Sequence, residues 1–103
     1  MYPITCAGGY PIPIKKGRFR ICGLVVTVND TTVATRCTLV DSDDFKELTD
    51  DQSLKGVLVD LKGLANAEGV MGIMFPAPIQ VRDGVTVSNL SNVLAGRTIV
   101  YIQ

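Results

Sequence analysis

Histidine and tryptophan are both absent from this chain of 103 residues, and their absence narrows the chemistry open to it. Without histidine, a serine or cysteine nucleophile lacks its most common general base. Zinc sites also rely on histidine, and the three cysteines, Cys6, Cys22 and Cys37, include no Cys-x-x-Cys pair. We therefore predict a protein that is not an enzyme and that binds neither a metal ion nor a cofactor.

Net charge and long apolar runs are lacking as well. Ten basic and ten acidic residues cancel, so no overall field attracts the chain to nucleic acid. The uninterrupted apolar runs are only a few residues long, which excludes a transmembrane helix. The first residues do not combine a basic segment with an apolar stretch, so we expect no secretory signal. Nucleic acid and membrane are therefore not expected as partners.

What the chain does contain is typical of strands. Apolar residues make up 47% of it, and valine, isoleucine and threonine are frequent, as in β-sheets. Turn signals separate seven or eight short apolar segments, and no helical period or internal repeat is present. We predict an all-β, antiparallel β-sandwich, jelly-roll-like, over residues 18–103, whose apolar final strand closes the core sheet. The predicted strands are 18–28, 32–41, 53–62, 70–75, 78–82, 85–90 and 97–103.

The first two of these strands form a predicted hairpin. The segments 18–28 and 32–41 flank Asn29-Asp-Thr, which has the composition of a turn. Such a hairpin would place Cys22 beside Cys37. Two alternatives follow: the cysteines are small buried apolar side chains, or Cys22 and Cys37 form a cross-strand disulfide.

Residues 1–17 differ from the rest because they are rich in proline and glycine. Proline fixes φ and removes a backbone donor, so we predict an extended N-terminal arm or an edge segment. Its apolar side chains need a covering surface, either the domain's own or a neighbour's. Just beyond it, two arginines share one face of a strand and could meet an acidic patch of a partner. The predicted partner-binding residues are Tyr2, Ile4, Tyr10, Ile12, Ile14, Arg18 and Arg20.

An acidic segment follows the predicted hairpin. Asp41 and Asp43 resemble the start of an EF-hand calcium loop. Phe45 and Gln52, however, occupy two positions where such a loop needs an oxygen ligand. We therefore favour a solvated acidic loop over a calcium site, because runs of charge usually lie on the surface.

Five segments of the predicted strands carry a resemblance to a known class of proteins. They are Ile21-Cys-Gly-Leu-Val-Val, Cys37-Thr-Leu-Val-Asp41, Phe75-Pro-Ala-Pro-Ile, Asp83-Gly-Val-Thr-Val-Ser and Thr98-Ile-Val-Tyr-Ile. Together they resemble small jelly-roll proteins on the virions of tailed bacteriophages, especially head decoration or cement proteins. The resemblance covers most of the chain from about residue 18 onward, while residues 1–17 and the acidic segment lie outside the pattern.

The resemblance implies a non-enzymatic capsid decoration protein that stabilises the phage head by bridging capsid subunits. Its partners would be the major capsid protein or other virion subunits, and it would form a homo-oligomer, most often a trimer. The expected location is the surface of the phage head, after assembly in the bacterial cytoplasm. Two alternatives stay open: a phage tail, fibre or host-glycan-binding β-sandwich module, and a cellular β domain. The absence of tryptophan counts against a strong glycan-binding protein, since sugar sites usually stack an aromatic ring.

Overall fold

The computed structural model describes residues 2–6, 12–42, 56–65 and 68–103, and these residues form eight strands. No residue within these ranges is helical. The strands are β1 (Tyr2–Cys6), β2 (Ile12–Lys16), β3 (Phe19–Val28), β4 (Thr35–Asp41), β5 (Val57–Gly63), β6 (Val70–Val81), β7 (Gly84–Ser91) and β8 (Val93–Ile102).

The eight strands form two four-stranded sheets packed together. Sheet A has the order β1-β8-β3-β6 and sheet B the order β2-β7-β4-β5, and every neighbouring pair is antiparallel. Consecutive strands change sheet at each connection except the one from β4 to β5. This alternation is the double Greek key of a jelly roll. The predicted all-β antiparallel sandwich is therefore confirmed.

The core lies between the sheets and is almost entirely aliphatic, as the scarcity of aromatic residues indicates. Burying each such side chain contributes about 1.5–3 kcal/mol, so this shared interior is the main source of stability. Sheet A contributes Phe19, Ile21, Leu24, Val26, Val81, Val100 and Ile102, and sheet B contributes Cys37, Leu39, Val59, Val85 and Val87.

A β-bulge at Cys22 changes which residues of β3 face the core. Pairing with β8 shifts register between Ile21 and Gly23. Because a bulge adds one residue to one strand, the alternation of side chains reverses there. Ile21 faces the core before the bulge and Leu24 after it, and both are fully buried. The bulge brings Ile21 and Leu24 to the same face, and the outward Val25 completes the continuous apolar run that follows.

The predicted hairpin between β3 and β4 is wrong, because β3 belongs to sheet A and β4 to sheet B. The connection between them crosses the sandwich and is tied to the β7–β8 turn by Asn92. The Asn92 side-chain amide donates to the carbonyl oxygens of Asp30 (2.7 Å) and Val33 (2.9 Å), and its Oδ1 accepts the N–H of Asp30 (3.0 Å). Through these long-range bonds, the backbone polar groups of the connection find their hydrogen-bond partner in Asn92 and not in β3.

Because β3 and β4 do not form a hairpin, the alternative of a cross-strand disulfide between Cys22 and Cys37 is wrong as well. Cys22 and Cys37 are both thiols and lie on strands of different sheets. Cys37 is part of the aliphatic core and Cys22 is half-buried at the bulge. Cys37 is therefore a small buried apolar side chain, as the first alternative states. The side chain of Cys6 is not among those that the structure describes.

The proline-rich residues 1–17 supply two edge strands over their described parts. Among the described strands, β1 pairs with β8 alone and β2 with β7 alone. Pro3 lies opposite Tyr101 and Pro13 opposite Thr86. An edge strand bonds on one side, so a missing N–H is tolerated there. Over 2–6 and 12–16 the chain thus follows the edge-segment alternative rather than that of an arm lying apart from the sandwich.

The two strands predicted over 70–75 and 78–82 are a single strand, β6. Its pairing with β3 shifts register after Met74 and resumes at Ile79. Pro76 and Pro78 lie inside this irregular stretch, and β6 accommodates them because it is an edge strand of sheet A.

Candidate functional site

The apolar members of the predicted partner-binding set belong to β1, β2 and the segment between them. Ile4 and Ile14 are half-buried and pack against the core. Tyr2 lies in β1 and Ile12 in β2, but the structure does not describe their side chains. Tyr10 lies outside the described residues altogether. Ile4 and Ile14 are therefore partly covered by the domain's own core.

The two arginines of the set lie at one end of the sandwich and are exposed. Arg18 lines a groove of about 450 Å³ together with Gln80 and Arg82. The Gln80 side-chain amide is held in place because it donates to the carbonyl oxygen of Phe19 (3.1 Å). Sequence reasoning identified Arg18 and Arg20 but missed Arg82, because only the pairing of β3 with β6 brings it beside Arg18. This basic end is the first candidate surface.

Asp41, the first residue of the calcium hypothesis, has a structural role in the same region. Its Oδ2 accepts the N–H of Arg82 (2.9 Å), and its Oδ1 accepts the N–H groups of Asp83 (2.8 Å) and Gly84 (3.2 Å). The carboxylate therefore anchors the β6–β7 turn. Residues 43–55 lie outside the described part of the chain, so the solvated loop and the calcium site both stay predictions. Among the described residues, no three Cys, Asp or Glu side chains gather in a group that could hold a metal ion.

The outer face of sheet B is polar. Asp60 accepts hydrogen bonds from Arg36 at 3.1 and 3.2 Å and from the hydroxyl of Thr38 at 2.9 Å. The Arg36 guanidinium is the main cause that lowers the pKa of Asp60 below its ordinary value. Beside this ion pair lies an open groove of about 530 Å³, lined by Ala34, Thr35, Arg36, Lys62, Gly63, Asn89 and Ser91. None of these described lining residues carries an aromatic ring.

The outer face of sheet A is apolar instead. The register places Pro3, Tyr101 and Met74 in one row across the sheet, and Ile99 and Val25 in the next. Val25, Ile99 and Tyr101 are half-buried, while Pro3 and Met74 are exposed. We call these five residues the outer patch. An antiparallel sheet usually turns polar side chains to solvent, so a contiguous apolar row indicates an interaction surface.

The sequence did not reveal the outer patch, because the final strand is apolar on both faces and nothing in it marks one face as solvent-exposed. Its sequence Thr98-Ile-Val-Tyr-Ile indicated a core strand throughout. In the structure the buried residues of this segment are Thr98, Val100 and Ile102, whereas Ile99 and Tyr101 point outward. An uninterrupted apolar run in a strand of a sandwich was the one available signal, because such a run places apolar residues on the outer face as well.

Comparisons with known proteins identify no relative: no protein-family model matches the chain, and no curated protein or solved structure matches it significantly. Within the described ranges, no helix is long and apolar enough to cross a membrane.

Proposed function

We propose that this chain is a non-enzymatic structural protein of a tailed-phage virion, of the head decoration or cement type. It binds the major capsid protein or another virion subunit at the head surface and associates with copies of itself. The observation that supports this proposal most directly is the outer patch of sheet A. A protein built to bridge subunits needs an apolar surface that it does not use in its own core.

The outer faces of the two sheets differ in polarity, and this difference indicates which sheet contacts the capsid. Sheet A presents Val25, Ile99 and Tyr101 outward, whereas sheet B presents the ion pair between Arg36 and Asp60. Tyrosine is enriched at the centres of protein interfaces, and charged residues are depleted there. Sheet A is therefore the side that faces the capsid, and sheet B is the side that faces solvent.

A binding experiment with particles of the encoding virus tests this arrangement. We expect Ile99→Asp and Tyr101→Asp each to weaken co-sedimentation with particles that lack the protein by about tenfold or more, because each places a charge in the contact. Val57→Asp is the matched control, since Val57 is an exposed aliphatic residue of sheet B. Circular dichroism would verify that every variant folds. If the outer-patch variants bind as well as the control, the outer patch is not the capsid contact.

The groove on sheet B favours a second candidate, a tail or fibre module that binds host glycans. Asn89, Ser91 and Arg36 supply polar groups suited to sugar hydroxyls. The described lining residues do not supply the aromatic ring on which sugars usually stack, which is why this function ranks second. A glycan array would decide: binding that is lost in Asn89→Ala and kept in Tyr101→Asp would replace the capsid proposal.

A further inference from the structure

Two arginines lie directly opposite each other at the basic end of sheet A. The register of β3 with β6 pairs positions 19 and 81. Just beyond these strands, the N–H of Gly17 donates to the carbonyl oxygen of Asp83 (2.9 Å), which continues the same register. The positions between these two pairs are 18 and 82. Arg18 is therefore opposite Arg82.

The side chains of this arginine pair are close together and face outward. The N–H of Gln103 donates to the carbonyl oxygen of Arg20 (2.8 Å), so Arg20 directs its backbone groups away from β6. Positions 18 and 20 thus belong to the non-hydrogen-bonded pairs with β6, in which the two Cβ atoms are about 5 Å apart. Because Phe19 faces the core, its neighbours Arg18 and Arg20 face outward.

The pair carries positive charge without a partner. Like charges directly opposite each other destabilise a strand pair, so Arg18 and Arg82 repel each other in the free protein. Among the described residues, no carboxylate lies within ion-pair distance of either guanidinium. The carboxylate of Asp41, in the same region, already accepts three backbone N–H groups. An anion bound between the two arginines would remove this repulsion.

Gln80 adds a neutral acceptor beside the arginine pair. Its side-chain amide donates to the carbonyl oxygens of Phe19 (3.1 Å) and Val81 (2.8 Å). Both carbonyls lie one step nearer to the arginine pair than Gln80 itself, so the amide bends toward that pair. Both donors of the amide are used in this way, while its Oε1 accepts no hydrogen bond from a described residue. The groove of about 450 Å³ between Arg18, Gln80 and Arg82 therefore combines two cationic donors with one acceptor.

We propose that Arg18, Gln80 and Arg82 bind a carboxylate of an acidic peptide segment on a partner protein, and we call these three residues the arginine site. A carboxylate has about four acceptor positions, so one carboxylate accepts N–H donors from both guanidinium groups at once. The Oε1 of Gln80 is suited to accept a backbone N–H of the same segment. A phosphodiester backbone has no N–H to donate, and the chain has no net charge to attract nucleic acid. A peptide is therefore the better match.

The arginine site continues the outer patch on the same face of sheet A. Arg20, next to the site, is opposite Gln103, which follows Tyr101 by two positions and lies on the same side of the sheet. Protein interfaces usually combine an apolar centre with a polar rim. The partner is thus a protein with an Asp or Glu side chain beside an apolar contact surface. That this protein is a virion subunit rests on the proposed function.

Nuclear magnetic resonance titration of the isolated chain tests the site. The probe is the capped peptide Gly-Glu-Gly-Glu-Gly, and the capped peptide Gly-Gln-Gly-Gln-Gly controls for charge. At about 20 mM salt, where screening is weak, we expect a dissociation constant of about 1 mM for the acidic peptide. The Nε–H resonances of Arg18 and Arg82 should shift. Binding should weaken several-fold at about 500 mM salt, and the neutral peptide should not bind.

Arginine variants show whether the peptide binds at this position. Arg18→Gln and Arg82→Gln should each weaken binding of the acidic peptide about fivefold, because each removes one of the two cationic donors. Arg97→Gln is the matched control, since Arg97 is an exposed arginine of the same sheet outside the site. It should bind like the wild type. Arg82→Glu places a carboxylate opposite Arg18 and should abolish binding, because the site is then occupied from within.

Thermal unfolding at low salt gives an independent measurement of the repulsion. Arg18→Gln and Arg82→Gln should each melt at or above the wild-type temperature, because each removes one of two like charges. Arg82→Glu should melt at a higher temperature than Arg97→Glu, since only the former creates an opposite-charge pair across the strands. A lower melting temperature for Arg82→Gln than for Arg97→Gln would contradict an unpartnered charge pair.

The proposal is overturned if the acidic peptide does not bind the wild type, or if it binds Arg82→Gln and Arg97→Gln equally well. Tighter binding of a single-stranded oligonucleotide of equal charge would replace the peptide by nucleic acid. Sedimentation velocity covers the remaining occupant: self-association of the wild type that is lost in Arg82→Gln would make the partner a second copy of this chain and overturn a separate partner protein.

Co-sedimentation with particles separates this proposal from the proposed function. Weaker particle binding by Arg82→Gln than by Arg97→Gln would support a virion subunit as the acidic partner. If the peptide binds at the arginine site but particle binding does not respond to Arg82→Gln, the assignment of the partner to the virion is contradicted and the carboxylate site is supported. If particles bind through the outer patch and the acidic peptide does not bind, the carboxylate site alone is contradicted.

Discussion

At the scale of single residues, polar side chains hold the connections of this sandwich. Asp41 accepts three N–H groups of the β6–β7 turn, and Asn92 bonds the β3–β4 connection to the β7–β8 turn. Asn92 adopts a positive φ of 59°, which asparagine tolerates better than most residues. Both residues act on segments far away in sequence.

Replacing Asp41 with asparagine should destabilise the fold by about 1–3 kcal/mol, because an amide donor then faces backbone N–H donors that have lost an acceptor. Urea unfolding followed by circular dichroism measures the change. Asp83→Asn is the control, since it makes the same substitution in the turn that Asp41 binds and Asp83 is exposed. Equal stability of the two variants would show that charge, not the hydrogen bonds, is what matters at Asp41.

The sequence could not reveal this role of Asp41. Its position in an acidic segment suggested a calcium ligand, because neighbouring carboxylates are visible in sequence. The N–H groups that it binds belong to residues 82–84 and approach it only when β4 and β7 pair. Local composition thus indicated a site, and a long-range contact gave the residue a structural role.

At the scale of elements, β3 is the strand on which sheet A is built. It pairs with both β6 and β8, and its bulge at Cys22 sets which residues face the core. Directly after the bulge, Gly23 lies beneath the Met74 side chain and close to the backbone of β6. A side chain at this position has no room.

Gly23→Ala should therefore destabilise the protein by about 1–3 kcal/mol. The added Cβ would lie 2.7 Å from the carbonyl oxygen of Ile73 and against the sulfur of Met74. Thermal unfolding of Gly23→Ala and of its combination with Met74→Ala would be compared. The second substitution removes the sulfur clash but not the backbone contact, so we expect partial recovery. Full recovery would contradict a role for the close approach of β3 and β6.

The strands themselves were largely predictable, but their pairing was not. Alternation and turn residues are local signals, and they indicated β3, β4, β5, β7 and β8 within a few residues of their observed bounds. The prediction of a hairpin between β3 and β4 was wrong, because a short connection can join two strands of different sheets as well as two neighbours in one sheet. No local signal distinguishes these two courses when both strands are apolar.

At the scale of the whole molecule, the two sheets share one core and the chain passes repeatedly between them. Leu24 of sheet A and Leu39 of sheet B are both fully buried in this core. Neither sheet retains a covered apolar face without the other, so the sandwich should unfold as one unit.

Leu24→Ala and Leu39→Ala should each lower the free energy of unfolding by about 2–5 kcal/mol, through lost burial and the cavity left behind. Each variant should keep a single transition that coincides when monitored by tyrosine fluorescence and by far-ultraviolet circular dichroism. Val57→Ala, at an exposed position, serves as the control and should change stability far less. Separate transitions for the two probes would mean that the sheets unfold independently.

The sequence by itself determined the all-β class, the aliphatic core and the positions of most turns, because these follow from alternation, β-branched residues and turn chemistry within a few residues of one another. Only the tertiary structure decided which face of an apolar strand is solvent-exposed. Ile99 and Val100 are similar in sequence terms, yet one lies on the outer patch and the other in the core. The reason is that a strand's two faces become inequivalent only when a second sheet covers one of them. The same holds for β6, which lies at the edge of sheet A because the order of the described strands places it outermost.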